Sequence, residues 1–190
     1  MNNCCELSCV TKDYLARYYE ILDCMIEKMT NAKLCASISQ NFIAQMIPHH
    51  EAAIQMCENL LKYTTCIPLQ NIANCIIAEQ STGIEEMKEM LCKCEKCKSS
   101  ERDLCLYARQ FDKISQRMFD KMGFACSDNR LNANFIREMI PHHEGAICMC
   151  KNALRFCICP ELRAMLCEMI ETQQEQICEM KRLLGTMGMK

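Results

Sequence analysis

Tryptophan is absent from this 190-residue chain, and it holds only five glycines and four prolines. An ordinary globular protein carries roughly 12% of these two turn formers, so few tight turns are available and long helices are expected. No run of about 18 apolar residues occurs, so no membrane span is expected. An excess of charge of one sign is missing too. Twenty-two basic and 24 acidic residues leave a net charge of −2, which argues against a nucleic-acid binder, whose basic face would raise the pI. No alternating apolar run of strand length stands out, and neither a glycine-rich phosphate loop nor a Gly-x-Ser-x-Gly elbow is present.

Sulfur is what the chain has in excess: 19 cysteines and 16 methionines. In a small secreted protein such a cysteine content marks a disulfide scaffold. Three features oppose that here. The start, Met1 to Glu6, shows no basic region followed by an apolar stretch. The cysteine count is odd. The chain is long and helical where disulfide scaffolds are short and loop-rich. The competing expectation is a cytoplasmic protein whose thiols are kept reduced and serve metal. Some cysteines are also expected simply as small core hydrophobes.

A shift of 93 residues overlays the chain on itself without a gap, Tyr14–Leu91 on Tyr107–Leu184, with 30 of the 78 positions identical. Such self-similarity fixes the architecture before anything else does. Residues 1–91 form a first helical repeat, 92–106 a cysteine-rich linker, and 107–190 a second repeat. Each repeat reads as three helices. In the first copy these run over about Tyr14–Met29, Ser39–Tyr63 and Pro68–Leu91, each with an apolar stripe at helical spacing. Pro48 is expected to kink or break the second of them. Helices with one apolar face bury it against one another, so the fold class is all-α: two tandem three-helix repeats in a bundle with approximate two-fold symmetry.

The four histidines all lie in two Pro-His-His-Glu copies. Positions three and four apart share a helix face. Met46, His49, His50, Met56 and Cys57 therefore line one face, and Met139, His142, His143, Met149 and Cys150 the corresponding one, with Cys148 beside it. Thiolate and thioether donors together favour Cu(I), and thioether is not among the usual zinc ligands. Several Cu(I) ions per chain are thus the expected cargo, with zinc the alternative. Met25, Met29, Met118 and Met122 are read as either ligands or core filler. Glu51 and Glu144 are expected to be solvated or to hold a histidine ring from behind.

Met46-x-x-His49-His50-x-x-Ala53-x-x-Met56, followed by Gln80-x-x-x-Ile84-x-x-Met87, resembles the signature of domain-of-unknown-function family 305. The second copy offers Met139-x-x-His142-His143-x-x-Ala146-x-x-Met149 and Gln173-x-x-x-Ile177-x-x-Met180. The resemblance implies a ferritin-like helical fold, a link to copper, and copper at the named Met and His positions, with Met87 and Met180 among them. Where that family usually has Glu before the Ile, this chain has Gly83 and Gln176. The cysteines are an addition that the resemblance does not explain.

Cys150 and Cys157 lie seven apart; Cys148 and Cys159, Cys167 and Cys178, and Cys24 and Cys35 lie eleven apart. On unbroken helices those intervals are two and three turns. If such faces point inward, the bundle is lined with thiols, to which Cys57, Cys66, Cys75, Cys105 and Cys126 would add. Cys4, Cys5 and Cys9 at the N-terminus and Cys92, Cys94 and Cys97 in the linker stand apart, as further ligands or as pairs. Cys94-x-x-Cys97 is a weak redox signal without a βαβ context.

The expected function is multinuclear Cu(I) binding for storage or detoxification, without catalysis. The expected partners are metal ions and, if copper is passed on, a copper chaperone; nucleic acid and membrane are not expected. A zinc or general soft-metal buffer is the first alternative. A redox protein whose thiols cycle through disulfides is the second.

Overall fold

The computed structural model describes residues 6–94 and 97–187. Six helices and, among the described residues, no strand make up the fold: α1 (Cys9–Thr30), α2 (Ile38–Leu61), α3 (Ile67–Lys93), α4 (Glu101–Gly123), α5 (Leu131–Ala153) and α6 (Pro160–Thr186). The all-α, twice-three-helix reading therefore holds.

Local chemistry starts these helices where it was available. Ser8, Ser37 and Ser100 cap α1, α2 and α4, each side-chain oxygen accepting from the backbone N–H three residues on, which satisfies a donor the helix itself cannot. Pro68 in α3 and Pro160 in α6 occupy the first turn, where a missing N–H costs nothing. Pro48 does not break its helix: α2 runs through it, as α5 runs through Pro141. Each proline removes one helical hydrogen bond, but buried apolar residues flank it in both directions, Met46 and Ala53 in α2, Met139 and Ala146 in α5. That burial holds the helix together across the lesion.

Within each repeat the middle helix packs against the two others. Between repeats α2 meets α5, α3 meets α6 and α1 meets α4, a pairing that only a two-fold relation gives. Side-chain bonds repeat with it. Asn59 Nδ2 donates to the Tyr14 carbonyl at 3.0 Å and Asn152 Nδ2 to the Tyr107 carbonyl at 3.1 Å. Asn41 clamps the loop before α2 by accepting from Cys35 N and donating to Cys35 O, and Asn134 does the same at Asp128. α3 reaches Lys93 and α4 begins at Glu101, so the first part of the cysteine-rich segment is helix and the connection is shorter than its composition suggests.

A candidate copper centre at the repeat interface

The α2–α5 contact carries the histidines to the middle of the molecule. His49, His50, His142 and His143 are all buried, and the rings of His49 and His142 lie 3.6 Å apart, centroid to centroid, at 30°. Burial, with the neighbouring imidazoles as the next cause, holds His49 and His142 well below the ordinary histidine range. His50 is lowered to about 3 and His143 to about 4, burial being the chief cause in both. All four rings are therefore neutral at neutral pH, the form that binds metal.

Their hydrogen bonds fix which nitrogen is free. His142 Nε2 donates to the His49 carbonyl at 3.1 Å. Gln176 Nε2 donates to Glu79, so its Oε1 faces His143 and accepts from His143 Nε2 at 2.7 Å. With Nε2 protonated in both rings, Nδ1 of each carries a lone pair, and neither Nδ1 has a partner. Both ring nitrogens of His49, Nδ1 of His50, and the amides of Gln80 and Gln173 also hold buried atoms without partners. A buried polar atom left unpaired costs about 1–3 kcal/mol. Several gathered around one interface are a cost that folding alone gives no reason to carry.

The thioethers expected on these faces are where helical spacing puts them. Met46, Met56, Met87, Met139, Met149 and Met180 are all buried. Cys57 and Cys150, at equivalent positions, are buried as well, and burial pushes both thiols far up. Cys150 Sγ lies 3.4 Å from Met169 Sδ, so a second thioether outside the expected set approaches the α5 face. Glu51 and Glu144 do not hold histidines from behind. They pair with Lys28 and Lys121 at 3.0 and 2.9 Å on the surface. Gln176 supplies that support for His143, and Glu79 supports Gln176. Among the described residues, no three His, Cys, Asp or Glu side chains are arranged to hold a metal ion as they stand. Thioethers fall outside that count.

The thiol-lined core does not form. Of the 16 described cysteines, all with free thiols, only Cys57, Cys94, Cys150 and Cys159 are buried. Cys24, Cys66 and Cys97 are half-buried, and Cys9, Cys35, Cys75, Cys105, Cys126, Cys148, Cys157, Cys167 and Cys178 are exposed. The seven- and eleven-residue intervals misled because they assume unbroken helices. α5 ends at Ala153, before Cys157 and Cys159, and α1 ends at Thr30, before Cys35. Cys167 and Cys178 do share α6, on its solvent side. Cys4, Cys5 and the side chain of Cys92 lie outside what the structure describes.

Between α3 and α6 a cavity of about 330 Å³ opens beside His50, walled by Glu79, Gln80, Gly83, Met165 and Gln173. Gly83 makes the close approach possible, since a Cβ there would stand 3.3 Å from His50 Cδ2 and 3.4 Å from its Nε2. In the other repeat the equivalent position is Gln176, which occupies that space and bonds His143. The two halves are thus alike in donors and unlike in access.

A duplicated helical domain with paired histidines buried at its two-fold interface is the class that fold and site define. The chain belongs to the family described as Domain of unknown function (DUF305), which it matches twice, over residues 22–91 and 108–184. No curated protein matches it significantly. Among solved structures it is similar to CopM in three forms, each with a TM-score of 0.58 over 78% of this chain. The silver-bound form, prepared by soaking, is 28% identical with 95% of that chain covered. The apo form is 29% identical and the Cu(II)-bound form 27% identical, with 96% of each covered.

Proposed function

We propose that this protein binds copper, as Cu(I), through the duplicated Met-His-His faces of α2 and α5, and that it buffers or stores the ion in a reducing cytoplasm without catalysing a reaction. The observation that carries the reading is the set of four buried, neutral imidazoles with unpartnered nitrogens at one interface, on helices whose same faces bury Met46, Met56, Met139 and Met149. Thioether with imidazole is a soft donor set, and softness selects Cu(I) over zinc. The similarity to CopM, solved with silver and with Cu(II), supports copper as the metal. Silver(I) shares the softness and single charge of Cu(I). Met87 and Met180, buried on α3 and α6, are the thioethers best placed in sequence to complete the two sites. Cys57 and Cys150 add one buried thiol to each face. The exposed thiols Cys75, Cys148, Cys157, Cys167 and Cys178 are assigned a peripheral part, capturing copper at the surface or exchanging it with a chaperone.

The test is anaerobic titration of the reduced protein with Cu(I) against a chromophoric Cu(I) chelator, repeated with Zn(II). Tight Cu(I) binding that falls at least tenfold when His49, His50, His142 and His143 are all changed to alanine is the expected result. Zinc held as tightly as Cu(I), or Cu(I) affinity indifferent to the four histidines, overturns the reading.

A further inference from the structure

Away from the histidines, three thiols that are distant in sequence meet at one end of the bundle. Cys94 ends α3, Cys97 follows in the connection to α4, and Cys159 is the residue that starts α6. Cys94 and Cys159 are buried and Cys97 is half-buried against the same core. The Cys94 and Cys97 thiols both interact with that of Cys159. Cys157 adds to the field at Cys97, and Cys159 Sγ donates to Glu161 Oε2 at 2.9 Å.

The meeting is built by backbone bonds. Ser99 N donates to the Ala36 carbonyl at 2.9 Å, and Ile38 N to Ser99 Oγ at 3.1 Å, which pins the connection to the start of α2. Cys159 N donates to Ser39 Oγ at 3.0 Å, which pins the start of α6 to the same turn. Three chain segments from both repeats are tied at one place, and each brings sulfur or fastens it.

We propose that Cys94, Cys97 and Cys159 form a second metal site, an all-thiolate one that takes a single Cu(I) ion independently of the histidine centre. As they stand the three sulfurs do not surround one point, so an ion draws them together by rotation about χ1, one staggered torsion in each side chain. Thiolate is the donor that selects Cu(I) and zinc from harder ions. Three thiolates complete the low coordination of Cu(I), whereas zinc in a structural site takes four ligands and would need Glu161 or Cys157 as the fourth. On binding, each sulfur gives its proton to solvent and forms a bond to the ion, and no electron changes hands. Cys159 sits at the N-terminus of α6, whose positive end favours anions, while Cys94 sits at the C-terminal end of α3, and the Glu161 carboxylate beside Cys159 is itself paired in charge with Lys93. Burial, with Cys159 beside it, pushes the Cys94 thiol up to about 12.

The experiment compares three full-length proteins: the parent, the C94S/C97S/C159S variant, and the variant with all four histidines changed to alanine. Each is titrated anaerobically with Cu(I) against a chelator and, separately, with Zn(II), with helicity checked by circular dichroism. The thiol variant is expected to lose one tight Cu(I) equivalent and keep the rest, while the histidine variant keeps that equivalent. In the parent, one Cu(I) equivalent is expected to slow alkylation of Cys97, read by peptide mass spectrometry, at least tenfold. The single C97S variant, at a half-buried position that tolerates serine, repeats the test if the triple variant fails to fold. Full Cu(I) capacity in the folded thiol variant, unchanged alkylation of Cys97, or preferential retention of Zn(II) there overturns the proposal. Full Cu(I) capacity in the histidine variant would overturn only the histidine reading, whereas loss of every tight Cu(I) equivalent from it would overturn the independence of the thiol site.

Discussion

The Tyr14 hydroxyl donates to Glu138 Oε2 at 2.5 Å, joining the first helix of one repeat to the middle helix of the other. Tyr107 makes the symmetric bond to Gln45 Oε1 at 3.3 Å. Position 138 thus carries an acid where its counterpart carries an amide. Burial raises Glu138 to about 8 from an ordinary 4.5, with the Tyr14 bond opposing. The native state therefore keeps a proton that the unfolded state has lost above pH 4.5, so this group's contribution to stability falls as pH rises toward 8. The histidines act in the opposite sense. Their folded values lie below the ordinary 6.5, so the stability they hold is lost as pH falls below 6.5. The apoprotein is expected to be most stable near pH 6.5 and to lose about 1.4 kcal/mol per pH unit between 6.5 and 8. E138Q keeps an acceptor for Tyr14, as Gln45 does for Tyr107, and is expected to flatten that slope. Urea midpoints at three pH values decide, and equal slopes in parent and variant would refute the assignment.

Access to the two histidine pairs should differ, because Gly83 leaves His50 beside a cavity and Gln176 bonds His143. G83Q is expected to slow Cu(I) uptake several-fold in stopped-flow mixing. Its stability should change by no more than about 1 kcal/mol, since the helix gain over glycine offsets crowding of the ring. Q176G should do the reverse, freeing His143 and speeding uptake. Rates unaffected by either change would show that copper reaches the centre by another route.

How much of this was legible in the sequence depends on whether a feature lies on one helix or between two. The stripe Phe42, Ile43, Met46, Ala53, Met56 set α2, and the 93-residue repeat carried that reading to α5. The buried Met-His-His faces followed from spacing alone. Pro48 failed as a break because burial on both sides outweighs one lost hydrogen bond. The roles of Gln176 and Glu79 and the cluster at Cys159 were not legible, since each depends on contacts between helices, within the second repeat for Gln176 and His143 and between repeats for the others, that no interval along one helix encodes. The cysteine intervals were legible but misread. Residues 154–159 interrupt the helical phase, and the punctuating proline comes only at position 160, already inside α6.

Thiol reactivity should sort by burial. Thiolate is the reactive form, and burial away from cations keeps a thiol protonated. Cys57 and Cys150 are raised far above the usual thiol range by burial. In the native reduced protein, Cys35, Cys105, Cys126, Cys167 and Cys178 are expected to alkylate at least a hundredfold faster than Cys57 and Cys150, with peptide mass spectrometry following each site. In denaturant the difference should vanish. Comparable native rates would mean that the α2 and α5 faces open to solvent.

One glycine is set by packing. Gly145 in α5 faces Met118 of α4, and a Cβ added there would stand 2.6 Å from Met118 Cγ and closer still to its sulfur. The equivalent residue in the first repeat is Ala52, buried at no such cost. Alanine should favour the helix by up to about 1 kcal/mol over glycine. Overpacking costs about 1–3 kcal/mol; the Met118 sulfur has the adjoining cavity of about 640 Å³ to swing into, but the crowding reaches its Cγ and Cβ, close to the backbone of α4, which makes it the larger effect. G145A is expected to destabilise by about 1 kcal/mol net. In the M118A background the clash is gone and the same change should stabilise instead. The sign reversal between the two backgrounds, read from urea unfolding of the four proteins, is the decisive quantity. A G145A effect of the same sign in both would mean that Met118 is not what the glycine accommodates.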